Sequence, residues 1–338
     1  YYAAPMEGLT DRIWRQVHQK WFGAADAPTR YYAPFLSPPE NRVLIPKKMA
    51  ELAPEANAGT VVIPQLLARD GELAAWMIGE VRKLGYTEIN LNFGCPSGTV
   101  TAKGKGAGML RDPARLDAFL DAVFSAVEGP VSVKTRIGVQ KPEEFAALLD
   151  IYNRYPICEL TIHPRVMKQL YRGEADRAAF AAALPECRMP VCYNGDLFSV
   201  SDTERFLVEY PGADDLMLGR GMLIDPALVM RLRARRTDLA EKNAAKKLRL
   251  ENGSTVWEDA AKRVSDIRDF YGRLAEDYAA VLSGERDVLF KMKELWSWQG
   301  QLFEGSEKYL KKIRKAQKLT EYKSAVAALF ADCPIKDA

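Results

Sequence analysis

The run Asn90-Leu91-Asn92-Phe93-Gly94-Cys95-Pro96 carries a thiol just past a stretch of alternating side chains. Glycine before Cys95 and proline after it force a turn, so the sulfur belongs in a loop at the end of a strand. A free cysteine is more often a small buried hydrophobe than a reagent. Here Lys103 and Lys105, interleaved with Gly104, Gly106 and Gly108, follow closely and favour a reactive setting. Lys134 and Arg136 stand two apart in a β-rich run, so both side chains leave the same face of a strand. In a closed parallel barrel that face is the interior or its mouth, and two cations there require an anionic guest. His163 and Arg165 end the next such run and add donors. Asn194-Gly195-Asp196 and Gly219-Arg220-Gly221 end the last two, where small residues let backbone N–H groups approach a phosphate. No metal site is expected, because Cys95 and His163 lack the clustered partners that ligand spacing requires.

The elements that must position these residues alternate along the chain. β-Rich runs are expected at 1–4, 31–36, 61–67, 88–92, 131–136, 158–163, 190–194 and 214–218, with helical patterns between most of them. One helix follows a Thr10 cap, carries Ile13, Trp14, Val17 and Trp21 on a stripe and stops at Gly23. Another opens at Asp112-Pro113 and repeats Leu116, Phe119, Leu120, Val123, Phe124 and Val127. Eight alternations predict an α/β fold, a closed (β/α)8 TIM barrel whose chemistry sits at the C-terminal ends of its strands. After Ser254 only helical spacing remains, beginning with Trp257, Ala261, Val264, Ile267, Tyr271, Leu274 and Tyr278. Further helices are expected near 289–303, 309–318 and 322–330. The expected organisation is a barrel over 1–235, a linker over 236–253 and a C-terminal all-helical domain over 254–338.

The 338 residues suit a barrel of about 250 residues with an appendage. No run approaches the roughly 20 apolar residues needed to cross a bilayer, so no membrane partner is expected. The first residues show neither the basic flank nor the apolar centre of a secretory signal, although the absent initiator Met suggests a missing residue or two. Cysteines 95, 158, 187, 192 and 333 form no CxxC pair, which fits a reducing cytoplasm. The net charge of +3 hides an asymmetry: 25 basic and 28 acidic residues up to Met230, then 23 basic and 17 acidic after it. A basic tail is the footprint of a polyanion-binding appendage, and Lys308, Lys311, Lys312 and Lys315 would line one helix face. A stripe kept basic for solubility would look the same.

Taken in order, Ala4-Pro5-Met6-Glu7-Gly8, Gln65, Asn92-Phe93-Gly94-Cys95-Pro96, Lys134-Thr135-Arg136, His163-Pro164-Arg165, Asn194-Gly195-Asp196 and Gly219-Arg220-Gly221 resemble the tRNA-dihydrouridine synthases. The motif-bearing resemblance covers about residues 1–230; the tail resembles the family's tRNA-binding domain in character only. What it implies is an FMN enzyme, re-reduced by NADPH or NADH, that reduces the C5–C6 bond of a uridine in tRNA. Pro5, Met6 and Glu7 would line the flavin ring, Gln65, Lys134 and His163 would contact its polar edge, and Asn194, Gly195, Asp196, Gly219 and Arg220 would hold the phosphate. Cys95 would protonate C5; Asn92, Arg136 and Arg165 would hold the base or its phosphate. Lys103, Lys105 and the four tail lysines would meet the tRNA backbone. The tRNA is large enough for a monomer to suffice. Two departures from the family pattern, Arg30 and Asn90, are expected near the substrate opening. Two rival classes share parts of this pattern: an FMN barrel reducing a small enone or pyrimidine, and a non-catalytic RNA-binding scaffold.

Overall fold

The structure, a computed structural model, describes residues 1–24, 29–213, 215–235 and 260–336. All of its barrel strands are parallel: β1 Tyr2–Ala3, β2 Arg30–Tyr32, β3 Val61–Ile63, β4 Gln65–Leu66, β5 Ile89–Phe93, β6 Val131–Arg136, β7 Leu160–His163, β8 Val191–Tyr193 and β9 Asp215–Leu218. Their order is β3-β2-β1-β9-β8-β7-β6-β5-β4. Pro64 explains the extra strand: it has no N–H to give, so the ladder breaks there. Val61–Ile63 pair with β2 while Gln65–Leu66 pair with β5, and the Pro64 carbonyl accepts from Asn90 N at 2.8 Å. These two short strands are one stave of an eight-stave barrel, as the sequence predicts.

All eight expected runs fall on strands or overlap them. Asp214, the expected start of the last, lies outside the described residues, as do Trp257 and the expected linker. The chain divides into two compact units. One holds every strand and comprises Tyr1–Arg12, Arg30–Asp196 and Leu207–Gly219; the other comprises Ile13–Thr29, Leu197–Phe206 and Arg220–Ala338.

In the strand-bearing unit, helix α2 (Gly71–Arg82) is capped by Asp70 and α3 (Pro113–Ala126) by Asp112, whose carboxylate accepts from Arg115 N at 3.1 Å. The stripe of α3 buries Leu116, Phe119, Leu120 and Val123. Shorter helices α4 (Phe145–Tyr152) and α5 (Arg177–Ala183) follow β6 and β7. Register puts Asn90 beside Ser132, Asn92 beside Lys134, Lys134 beside Thr161, and Thr161 beside Cys192. In-register neighbours point the same way, so the inner face of the barrel is polar on one side. Tyr2, Ala4, Tyr32, Ile63, Cys192 and Met217 form its apolar filling.

In the second unit, α1 (Arg12–Phe22) buries Trp14 and Val17 of its expected stripe, leaves Ile13 and Trp21 half-buried and buries Phe22 instead, and Trp14 meets Phe270 edge-on at 6.3 Å. Four C-terminal helices span Ala260–Val281, Glu285–Gln299, Glu307–Lys315 and Leu319–Asp332. Their core includes Ile267, Phe270, Tyr271, Leu274, Tyr278 and Trp296. Asp225 pairs with Arg263 of the first of them at 2.8 Å, and also with Arg231 at 2.9 Å. No described helix is long and apolar enough to cross a membrane.

Candidate active site

The strand ends bring the motif residues to one mouth. Cys95 follows β5 and is half-buried. Asn92, 7% exposed, holds the turn: its Oδ1 accepts from Gly94 N at 3.0 Å and Cys95 N at 2.9 Å. Its Nδ2 donates to Gln65 Oε1 at 2.6 Å. Gln65 Nε2 donates to Asn90 Oδ1 at 2.8 Å, and Asn90 Nδ2 to Ser132 Oγ at 3.0 Å. This relay runs through the barrel interior and ends on the backbone of the Cys95 loop. Both ends of the Asn92 carboxamide are thus engaged within the protein.

The glycines after Cys95 have a packing reason. A Cβ at Gly106, where φ is +55°, would come within 2.7 Å of the Cys95 carbonyl and 3.0 Å of its Cβ. One at Gly108 would reach the Thr101 carbonyl at 2.6 Å. The loop therefore wraps tightly over the cysteine, and Ala107 N donates to Cys95 O at 3.0 Å.

Burial raises the Cys95 thiol above its ordinary pKa; a backbone hydrogen bond at Ser97 and the cations Arg136 and Lys134 oppose the rise, and Glu7 adds to it. The thiol therefore stays protonated at neutral pH and sits within electrostatic reach of Glu7 from the β1 loop and Lys134 and Arg136 from β6. Lys134 is lowered to about 8, first by burial and next by Arg136. The groups that favour its charge are the thiols of Cys192 and Cys95, which are poor counterions. An inward cation without a carboxylate to neutralise it is an anion site in waiting.

Arg136 is fully buried and donates from Nε to Gly94 O at 2.9 Å and from Nη1 to Val166 O at 3.0 Å. Burial works against its charge, and Tyr171 favours it. Its Nη2 is buried with no hydrogen bond of normal geometry. His163 is 7% exposed, with Nε2 3.1 Å from Arg165 Nη1. A guanidinium can only donate, so this nitrogen accepts and a neutral ring carries its proton on Nδ1. Arg165, 1% exposed, forms a two-pronged pair with Asp196, at 3.0 Å to Oδ1 and 2.5 Å to Oδ2, and donates to Gly173 O at 2.5 Å. Asp196 Oδ2 also accepts from Ala175 N at 2.9 Å. The structure thus employs Asp196 as the counterion of Arg165, with its backbone at φ 40°.

Gly195 is a tight position, and Gly219 is in ordinary contact with its neighbours. A Cβ at Gly195 would meet Ala175 Cβ at 2.9 Å, and one at Gly219 would meet Ala4 Cβ and Met6 Sδ at 3.4 Å. The ends of β1 and β9 thus lie side by side, with Asn194 Nδ2 donating to Met217 O at 2.7 Å. Pro5 and Met6 are half-buried and Glu7 is exposed. Arg220, next in the chain to Gly219, lies over the Phe198 ring at 5.0 Å. Lys308, Lys311, Lys312 and Lys315 line a single open groove in the helical unit. Among the described residues no cluster of His, Cys, Asp and Glu is placed to hold a metal ion.

One expectation is overturned. Arg30 and Asn90 do not stand near the opening. Arg30 begins β2, in register with Tyr2 and Val61 at the N-terminal end of the barrel, opposite to Cys95. It pairs with Glu88 and sits 3.6 Å from Glu159, while the Tyr2 and Tyr32 hydroxyls donate to Glu159 at 2.7 and 3.0 Å. This network plugs the floor. Asn90 is fully buried in the interior relay. A motif read along one dimension does not say which end of a two- or three-residue strand a position occupies.

Tyr171 escapes the sequence reading altogether. Its ring is 51% exposed, 5.3 Å from the Arg136 guanidinium and 6.2 Å from His163. It follows Leu170, held at φ 54° in the long loop after β7. No periodicity marks such a residue; an aromatic shortly after a strand-end His is the one available signal.

Comparison with known proteins agrees with this geometry. A family model described as dihydrouridine synthase matches residues 2–327. A tRNA-dihydrouridine(16) synthase of Pseudomonas putida is 32% identical over 69% of this chain and 73% of its own length. A probable tRNA-dihydrouridine synthase of Rhodobacter capsulatus is 29% identical over 80% of each chain. Among solved structures, a 2-naphthoyl-CoA reductase has a TM-score of 0.52 at 10% identity, covering 70% of this chain and half of its own, a likeness of fold. With a family model matched over residues 2–327, nearly its whole length, the chain belongs to the dihydrouridine synthase family.

Proposed function

We propose that the protein reduces a uridine in tRNA to 5,6-dihydrouridine, with FMN as cofactor and NADPH or NADH as reductant. The observation that carries this reading is geometric: Cys95 sits on the loop at the end of β5, its turn braced by Asn92, which stands in register with Lys134 of β6. The residues fit a flavin mononucleotide. Lys134, with no carboxylate balancing it, suits the negative edge of a reduced flavin, and Gln65 and His163 stand along the same interior face. Pro5, Met6 and Glu7 would flank the ring. Asn194, Gly195, Gly219 and Arg220, which follow the last two strands in the chain, are assigned to the phosphate, the usual place for one in such barrels. Asp196 would serve this site by holding Arg165 rather than by touching a phosphate.

When bound and reduced, the flavin supplies a hydride to C6 of the uracil. Cys95 then delivers its proton to C5, where the negative charge develops, and the thiolate is re-protonated from solvent. Arg136 and Arg165 are assigned to the uracil or its phosphate; Asn92 would act through the Cys95 turn that it braces. The base must leave its stack to reach this mouth, which in RNA is easiest in a loop. Lys103, Lys105 and the groove of Lys308, Lys311, Lys312 and Lys315 are assigned to the tRNA backbone. A reductase of a small enone or pyrimidine would have no use for that groove. A cytoplasmic monomer suffices for this activity.

The test is Cys95→Ala. It should retain the flavin absorption spectrum and its bleaching by NADPH while dihydrouridine formation in a tRNA transcript falls by about 10²–10⁴-fold, the worth of a general acid. Full activity in this variant overturns the assignment.

A further inference from the structure

The rim beside Cys95 gathers more cations than the chemistry above employs. Arg115, in the first turn of α3, lays its guanidinium against Gly104: a Cβ there would lie 2.8 Å from Nη1. Gly104 separates Lys103 from Lys105 in the chain. Arg115 Nη2 donates to the Arg69 carbonyl at 3.2 Å, and the Arg69 guanidinium reaches Glu40 at 3.2 Å. Partial burial lowers the pKa of Lys105, and the like charges of Arg69, Lys103 and Lys48 lower it further against the opposing carboxylate of Glu40. Gly104, Arg115 and Arg69 are therefore contiguous, Lys103 and Lys105 flank Gly104 in the chain, and Lys48 lies within electrostatic reach of Lys105; the group draws on the loops after β2, β4 and β5.

Its attachment to the reactive loop is direct. Lys105 precedes Gly106, which packs on Cys95, and Ala107 bonds the Cys95 carbonyl. Lys48, Lys103 and Arg115 are exposed and Arg69 is about half exposed. Like charges gathered on a surface repel, and a chain of spaced anions relieves that repulsion better than one compact ion. The partner that fits is a polyanion whose charges repeat along a strand, and a nucleotide entering the mouth brings such a strand to this rim.

We propose that Lys48, Arg69, Lys103, Lys105 and Arg115 form a track on the strand-bearing unit for the RNA phosphates flanking the reacting nucleotide. This rests on the tRNA reading above and adds Lys48, Arg69 and Arg115 to it. The experiment is binding of a fluorescein-labelled, unmodified tRNA transcript by anisotropy between 50 and 200 mM KCl, which requires no turnover. If both side chains meet phosphates, Lys48→Gln/Arg69→Gln lowers the slope of log affinity against log salt by about 1.4–1.8. Wild type should then lose about 7- to 12-fold more affinity across that fourfold salt range than the variant does. Lys48→Arg/Arg69→Lys should keep the wild-type slope, and Glu40→Gln should tighten binding at low salt. An unchanged slope in the neutralised variant overturns the track, and is also what an acidic protein partner at this rim would give. A slope lost equally in the charge-keeping swap overturns it too, since shape rather than charge would then be at work. Wild-type dihydrouridine formation, assayed separately, tells failure of the track from failure of the tRNA reading.

Discussion

Asp196→Ala gives a sharp test of how the mouth is held. Arg165 is 1% exposed, and Asp196 is its carboxylate partner through two prongs at 3.0 and 2.5 Å. Removing the carboxylate leaves a buried guanidinium with only the Gly173 carbonyl and the His163 ring as acceptors, and it strands the Ala175 N–H. Stranding one half of a buried pair costs about 3–5 kcal/mol. Two surviving acceptors argue for the lower end, about 3 kcal/mol. Asp196 also has φ 40°, a conformation that alanine tolerates less well than aspartate. Asp196→Asn separates the two effects: it keeps the backbone tolerance and one acceptor, so it should lose less. Arg165→Met/Asp196→Ala removes both charges and should lose less than the sum of the singles, by about 1–3 kcal/mol. Urea unfolding followed by circular dichroism measures these three variants and the Arg165→Met single against wild type. A cost below about 1 kcal/mol for Asp196→Ala, or strict additivity in the double variant, would refute the view that this carboxylate exists to hold Arg165.

Lys134 predicts a pH dependence. Its folded value of about 8 lies below the ordinary value near 10.4, so the unliganded protein sheds this charge as pH rises through about 8. FMN affinity, measured by flavin fluorescence quenching, should be level from pH 7 to about 8 and fall above it, a range where the phosphate is already doubly ionised; Lys134→Met should bind more weakly and lose the fall, and an identical profile in both proteins would sink the argument. Asn92→Ala removes the acceptor of Gly94 and Cys95 N–H and the donor to Gln65, so it should cost about 2–4 kcal/mol in urea unfolding; a loss below about 1 kcal/mol would mean the relay does not brace the turn.

Much of the architecture was legible in one dimension. Alternation of β-rich and helical runs follows from side-chain periodicity, and the Asp112-Pro113 start of α3 follows from local capping chemistry. The placing of Cys95, Lys134, His163, Gly195 and Gly219 on or just after the strands was legible because a parallel barrel gathers its strand ends whatever fills the loops. The helical tail was legible too, since a heptad-like stripe needs no partner to be recognised.

Partnership was not legible. Asp196 reads as part of a phosphate loop until Arg165, 31 residues earlier, closes on it. Asn92 reads as a substrate ligand until its amide is seen bracing Cys95 N–H. Arg30 reads as a residue of the opening until register places it against Glu88 and Glu159 at the floor. Local sequence determines which elements form, because helix and strand periods are properties of neighbouring residues. Only tertiary structure decides which charge neutralises which, because that depends on distances across the barrel that no spacing along the chain encodes.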